Sequence, residues 1–158
     1  MNEELRKTLR RTAKPTASGD SFVRLPEERH NRLDEALAVD RLTSLIVQLN
    51  TEVDNGALLV VEGARDEKAL ARLGFKGKAF KLCYTRNSLS AVMSKAESHT
   101  KVILLLDYDL KGRVLTGKVA SMLQNKGMNV DTSFRRKIRS ITSGLANHVE
   151  DLKRFTSL

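Results

Sequence analysis

The sequence contains one cysteine, Cys83, and no tryptophan. A single thiol can neither close an internal disulfide nor build a cysteine-rich zinc site, so neither staple is available. Aromatic residues make up 4% of the chain, so few rings can stack on bases as single-strand binders require. The longest apolar runs, Ala57 to Val61 and Val102 to Leu106, are five residues each, whereas a membrane span needs about 20. The amino-terminal stretch has no apolar signal-like segment, and Glu3 and Glu4 argue against an acid-poor transit peptide. The expected location is the cytoplasm, with no membrane partner.

What is present is a chain of 158 residues, 41% hydrophobic and 30% charged, which fits one globular domain rather than two or a disordered polymer. Lys and Arg number 28 against 19 Asp and Glu, a formal net charge of +9, and the isoelectric point near 9.9 is that of a protein with nucleic-acid partners. Solubility charge alone would also produce it. The charge is uneven: residues 33–75 carry 4 basic and 8 acidic side chains, whereas 133–158 carry 6 basic and 2 acidic. An acidic region therefore lies inside a basic protein.

Both prolines, Pro15 and Pro26, fall in the first 26 residues, and eight Lys or Arg fall in the first 32. Residues 1–26 read as a basic flexible arm and 27–158 as a single domain. From Glu27 to about Asn50, Leu33, Ala36, Leu37, Val39, Leu42, Leu45, Ile46 and Leu49 recur at helical spacing. Ala57–Val61 then reads as a buried strand ending at Glu62-Gly63. Asp66 is placed to cap a helix through Leu73, and Ala79–Leu82 reads as a second strand, with Cys83 near its end as a small core residue. Asn87 or Ser88 starts a helix to about Ser98, Lys101–Leu106 is a third strand, and residues 111–126 form a helix with Val114, Leu115, Val119, Met122 and Leu123 on one stripe. Met128–Val130 is a short fourth strand before a largely helical remainder. Alternating strands and helices predict an α/β fold, a parallel four-stranded sheet with helices on both faces.

Glu62 closes the first strand and Asp107 and Asp109 close the third. If these strands are neighbours, three carboxylates converge at the sheet edge where such folds bind ligands. In Asp107-Tyr108-Asp109 the two acids project to one side of an extended chain while Tyr108 faces away, so both can reach one hard cation such as Mg²⁺. Gly63 and Gly112 are expected to let a phosphate approach the acids. Asp-x-Asp alone is equally what a capped helix and a solvated turn look like. The three histidines, His30, His99 and His148, stand in separate segments without ligand spacing and read as surface residues, and Gly74-x-x-Gly77-Lys78 lacks the full phosphate-loop pattern.

Leu59-Val60-Val61-Glu62-Gly63-x-x-Asp66-x-x-Ala69-Leu70, followed by Leu105-Leu106-Asp107-x-Asp109-x-x-Gly112-Arg113, resembles the Toprim domain of topoisomerases, bacterial-type primases, certain nucleases and recombination mediators. The resemblance covers about residues 57–131. Val130-Asp131-x-x-Phe134-Arg135-Arg136-Lys137-x-Arg139, with Val149-Glu150-Asp151-Leu152 further on, is similar to the stand-alone small Toprim proteins of archaea, which are related in their core to a ribonuclease that matures small ribosomal RNA. The resemblance implies that Glu62 is the general acid or base and that Asp107 and Asp109 hold Mg²⁺, with Mn²⁺ as a substitute. Asp66 matches a further acid of the motif, or serves as a helix cap. Tyr84 and Tyr108 read as packing residues, and neither a complete topoisomerase nor a self-sufficient primase is expected.

Arg65, Lys68, Lys111 and Arg113 flank the acids, and Arg135, Arg136, Lys137 and Arg139 form a basic run. All eight are candidates for phosphate contact with RNA or DNA. The expected function is a Mg²⁺-dependent enzyme acting on nucleic-acid phosphodiesters, nuclease-like and in the RNA-processing direction. The alternative is a non-catalytic module that binds nucleic acid or joins a larger ribonucleoprotein or repair complex.

Overall fold

A computed structural model describes residues 27–83 and 87–156, with side chains from residue 32 onward. The expected basic arm, His30 as a surface residue and Tyr84 as a packing residue lie outside these described side chains. The elements are helix α1 (Glu27–Asp54), strand β1 (Ala57–Val61), α2 (Ala64–Arg72), β2 (Phe80–Lys81), α3 (Ser88–Ala96), β3 (Lys101–Leu104), α4 (Leu110–Asn125), β4 (Val130–Asp131), α5 (Ser133–Ile141) and a 3-10 helix (Val149–Thr156). The sheet order is β2-β1-β3-β4, and every pair is parallel.

The apolar runs become strands because both faces of the sheet are covered. Leu59, Val61, Ile103 and Leu105 pack with α1, α2, α5 and the 3-10 helix. Leu58, Val60, Val102, Leu104 and Leu106 pack with α3 and α4 on the other face. Side chains alternate across a strand, so one continuous apolar run supplies both layers. Leu105 extends the β1–β3 pairing by donating to Val60 O at 2.9 Å.

Helical spacing runs beyond the buried faces, and the readings of Cys83 and Asp66 are corrected. Leu33 and Leu37 are 56% and 47% exposed, because burial along α1 begins only at Ala38; periodicity reveals an apolar face but not how far neighbours cover it. Val114 is 64% exposed, while Val119 and Leu123 on the same helix are buried. Cys83 is exposed: β2 ends at Lys81, and the chain turns at Cys83 with φ 24°. Asp66 takes part in capping α2 as the third residue of a capping box, not as the N-cap itself. The cap position is Gly63, and Asp66 sits in the first helical turn and reaches back to it.

The chain passes from β1 outward to β2 on one side and to β3 on the other. The crevice at the carboxyl ends of β1 and β3 is therefore the point where the strand order reverses, the usual ligand position in an open parallel sheet.

Candidate functional site

Glu62 leaves β1 and Asp107 leaves the extension of β3 at this crevice. Asp107 donates its backbone N–H to Glu62 Oε1 at 3.3 Å, so the two chain ends are tied together. Asp107 Oδ1 in turn accepts the backbone N–H of Val149 at 2.9 Å. Asp66 is buried, and its Oδ2 accepts the Gly63 N–H at 2.9 Å. Glu62, Gly63, Ala64, Arg65, Asp66, Asp107 and Glu150 line an open depression of ≈ 480 Å³.

The electrostatics follow from crowding acids in a half-buried crevice. Burial, then the Asp107 charge, pushes the Glu62 carboxyl up from its ordinary value despite the bond from the Asp107 N–H. Burial also raises Asp66, opposed by its bond from Gly63, and raises Asp107, opposed by its bond from Val149. Each group disfavours its charged form because it has lost water and faces like charge. Perturbed acids in a cleft mark a candidate functional site.

Asp109 has a divided task. It caps α4, with Oδ1 accepting the Gly112 N–H at 2.7 Å, while Oδ2 lies 3.9 Å from His148 Nε2. Tyr108 faces the other way and is buried in the core, as the alternation of an extended chain requires.

The model of the Toprim domain matches residues 57–141. The chain belongs to the Toprim family. It is 33% identical over 120 residues to a UPF0292 protein of Methanosarcina acetivorans, a match covering 75% of this chain and 82% of that one. It is 38% identical over 94 residues to a UPF0292 protein of Pyrococcus horikoshii, covering 60% and 70% respectively. A solved structure of a protein from Aquifex aeolicus superposes with a TM-score of 0.58 at 29% identity, covering 68% of this chain and 94% of that one. The four-stranded parallel sheet with helices on both faces is the Toprim fold.

Within this Toprim site the basic candidates separate. Arg65 is exposed and reaches Glu150 at 3.9 Å. Lys68 lies exposed on α2, and Lys111 and Arg113 lie exposed in the first turn of α4. Arg135 is half-buried and turned inward: its Nε donates to Leu106 O at 3.0 Å, its Nη2 to Asp107 O at 2.6 Å, and its guanidinium lies 5.0 Å from the centre of the Tyr108 ring. Two of its five N–H donors are thereby spent on the backbone beneath the acids. Arg136, Lys137 and Arg139 are exposed on α5, but Lys137 opens into a groove against α1 with Asp40 and Arg41, and none of the three lines the acid depression.

Gly112 plays a different part from the one expected. A Cβ there would lie 2.6 Å from the Asp107 carbonyl carbon, so its missing side chain admits the Asp107 backbone rather than a phosphate. Gly63 would meet nothing within 4 Å and does leave open space beside the acids.

Sequence reasoning read His148 only as a surface residue, with no link to the acids. It stands beside Asp109 and also 3.5 Å from Asp151, through Nδ1. Burial opposes its charge, but the carboxylates of Asp107, Asp151 and Asp109 outweigh burial and raise its proton affinity. Glu150 also lines the depression. The motif Val149-Glu150-Asp151-Leu152 was the available signal, but nothing in its spacing shows that a turn 42 positions after Asp107 returns to that residue.

Proposed function

We propose that this protein is a Mg²⁺-dependent enzyme acting on phosphodiester bonds of nucleic acid. Toprim membership points to metal-dependent, nucleic-acid-related function, and the relatives' names specify no activity. The observation that carries the finer reading is the pairing of Glu62 with the Asp107 backbone at an open depression, where both acids have raised proton affinity.

Among the described residues, no three His, Cys, Asp or Glu side chains form a ready-made metal cage. The donor chemistry still fits Mg²⁺, which keeps several waters and binds through one or two carboxylates together with substrate phosphates. Asp107 and Asp109 are the ligands in this reading, because each has one oxygen committed to a backbone N–H, while the second oxygen of Asp109 meets only His148, at 3.9 Å. Mn²⁺ would suit the same oxygens. When bound, the ion would orient a phosphate and offset charge developing on it.

Glu62 carries the proton in this mechanism. Its raised affinity brings it closer to the range where a carboxyl group both accepts and releases a proton, and its position beside Asp107 places it at the reacting edge. Asp66 acts from behind: its carboxylate holds the Gly63 backbone, which fixes the direction in which Glu62 leaves β1. Arg65, Lys68, Lys111 and Arg113 would meet phosphates beside the acids, because exposed cations gain most from displacing counterions along a polyanion.

The second reading, a module that binds nucleic acid or a ribonucleoprotein without turnover, is favoured by one observation: half of each proposed metal ligand is already engaged in holding the fold. Incubation with structured RNA, single-stranded DNA and duplex DNA, in Mg²⁺, Mn²⁺ or chelator, separates the two. Metal-dependent products that disappear in Glu62→Gln establish the enzyme. Binding without products from any substrate overturns it.

A further inference from the structure

A basic groove continues from the acid depression along α2. It is a notch of ≈ 280 Å³ lined by Arg65, Lys68, Ala69, Arg72, Glu150 and Lys153, and it shares Arg65 and Glu150 with the depression that holds Glu62 and Asp107. Its walls are α2 and the 3-10 helix, which are anchored by buried Ala69, Leu70, Val149 and Leu152. Arg65, Lys68 and Arg72 are close in sequence, but Lys153 lies too far along the chain to read as part of their cluster.

The charges on α2 are sorted. Glu67 points toward β2, where Oε2 binds Lys81 at 2.9 Å and Oε1 accepts the Ala79 N–H at 3.0 Å. Asp66 points into the protein. Arg65, Lys68 and Arg72, spaced three and four apart, fall on one helix face, where like charges repel. Lys153 adds a fourth positive charge from the opposite wall. Among the described residues, Lys68, Arg72 and Lys153 have no carboxylate within ion-pair distance, and Arg65 reaches Glu150 only at 3.9 Å. A surface arranged for stability alone would intersperse the two signs; this one sets four cations against a single carboxylate, Glu150, around a concave track.

We infer that this groove holds the phosphodiester backbone of a polynucleotide, as an extension of the site at Glu62 and Asp107. The inference rests on the proposed function for its substrate class. The seven residue steps from Arg65 to Arg72 span about 10 Å of helix, which corresponds to about three nucleotide steps along the axis of a stacked strand rising about 3.4 Å each. A single phosphorylated metabolite would leave part of such a track unused. Among the described residues no aromatic side chain lines the groove, so it contacts the backbone and not the faces of bases. The run on α5 is the lesser contributor, because Arg135 is turned inward and Lys137 faces the Asp40 groove.

The test is fluorescence anisotropy of the full chain with labelled single-stranded RNA, single-stranded DNA and duplex DNA, in chelator, across a salt series. The variant Lys68→Ala/Arg72→Ala/Lys153→Ala is compared with Lys118→Ala/Lys126→Ala, on α4 and at its C-cap, and thermal melts confirm that both stay folded. The groove variant is expected to bind at least about tenfold more weakly. Its log–log salt slope should shrink by about 2 on single strands, or by nearly 3 on duplex, while the α4 variant matches the parent. The three nucleic acids show which backbone the track prefers. Parent-like affinity and slope in the groove variant overturn the inference, as does failure of the parent to bind any of the three. So does an equal loss from Arg136→Ala/Lys137→Ala/Arg139→Ala with the groove intact. Groove-dependent binding without Mg²⁺-dependent products removes the catalytic reading and leaves the track standing; cleavage by the parent with unchanged binding in the groove variant removes the track alone.

Discussion

Val149 donates its backbone N–H to Asp107 Oδ1 at 2.9 Å, so the orientation of a central acid is set by a turn that lies beyond the matched Toprim segment. The same turn reaches the neighbouring residue, because the Tyr108 N–H donates to Asn147 O at 2.9 Å. Asp151 holds the turn in shape: its Oδ2 accepts the N–H groups of Asn147 and His148 at 3.0 and 2.9 Å. Burial works against the charge on Asp151, but these two bonds and the nearby His148 outweigh it and keep the carboxyl below its ordinary value.

Replacing Asp151 should therefore act on Asp107 through the turn. Asp151→Ala is expected to cost about 1 kcal/mol, the usual loss when a carboxylate that caps backbone N–H groups is removed, and to weaken Mg²⁺ binding several-fold. Asp151→Asn, which keeps an acceptor oxygen, should restore part of both. Thermal melts beside calorimetric Mg²⁺ titration check this; parent-like Mg²⁺ affinity in the Ala variant would show that the turn does not position Asp107.

The acids predict a specific pH dependence of the metal-free protein. Glu62, Asp66 and Asp107 have folded-state affinities raised above ordinary values of 4.5 or 3.8, so the folded state holds protons that the unfolded state has released. Their contribution to stability is fully present below those values and is lost as pH rises through the raised ones. His148, raised from 6.5, adds a second loss above that value with the same sign. Glu62→Gln and Asp107→Asn should raise the melting temperature at pH 7 and flatten the acid part of the curve. Denaturant midpoints between pH 4 and 8 measure it, and a parent curve that rises throughout would contradict the assignment.

The two glycines beside the acids should fail differently. Gly112→Ala forces a methyl group onto the Asp107 backbone and is expected to cost about 1–3 kcal/mol, as overpacking does. Gly63 has extended backbone at φ −152° and open space around it, so Gly63→Ala should change stability by less than about 0.5 kcal/mol while reducing any metal-dependent turnover. Chemical denaturation of the two variants beside the cleavage assay distinguishes them.

Arg135→Ala is expected to behave as a folding variant. It strips donors from the half-buried carbonyls of Leu106 and Asp107 and removes the cation over Tyr108, a loss of about 1–3 kcal/mol for unsatisfied acceptors. The salt slope of nucleic-acid binding should stay within error of the parent. A slope reduced by about 1 with unchanged stability would instead make Arg135 a phosphate contact.

The order of strands and helices, the parallel sheet and the acids at its edge are all legible in local residue patterns. Ala57–Val61 and Val102–Leu106 are apolar on both faces, a pattern that suits a strand covered on both sides, and Glu62 and Asp107 mark where that cover ends. Tertiary structure decided what local pattern does not encode. Leu33, Leu37 and Val114 keep helical periodicity yet stay exposed, because burial depends on which neighbours arrive. Asp66 reads as a cap but sits within the first turn, and Gly112 reads as space for a ligand but is filled by the Asp107 carbonyl. His148 and Val149 meet the acids, and Lys153 lines one notch with Arg72, only because the last helix packs back against α2. Spacing along the chain describes a single element, whereas these contacts join elements whose meeting depends on packing the whole core.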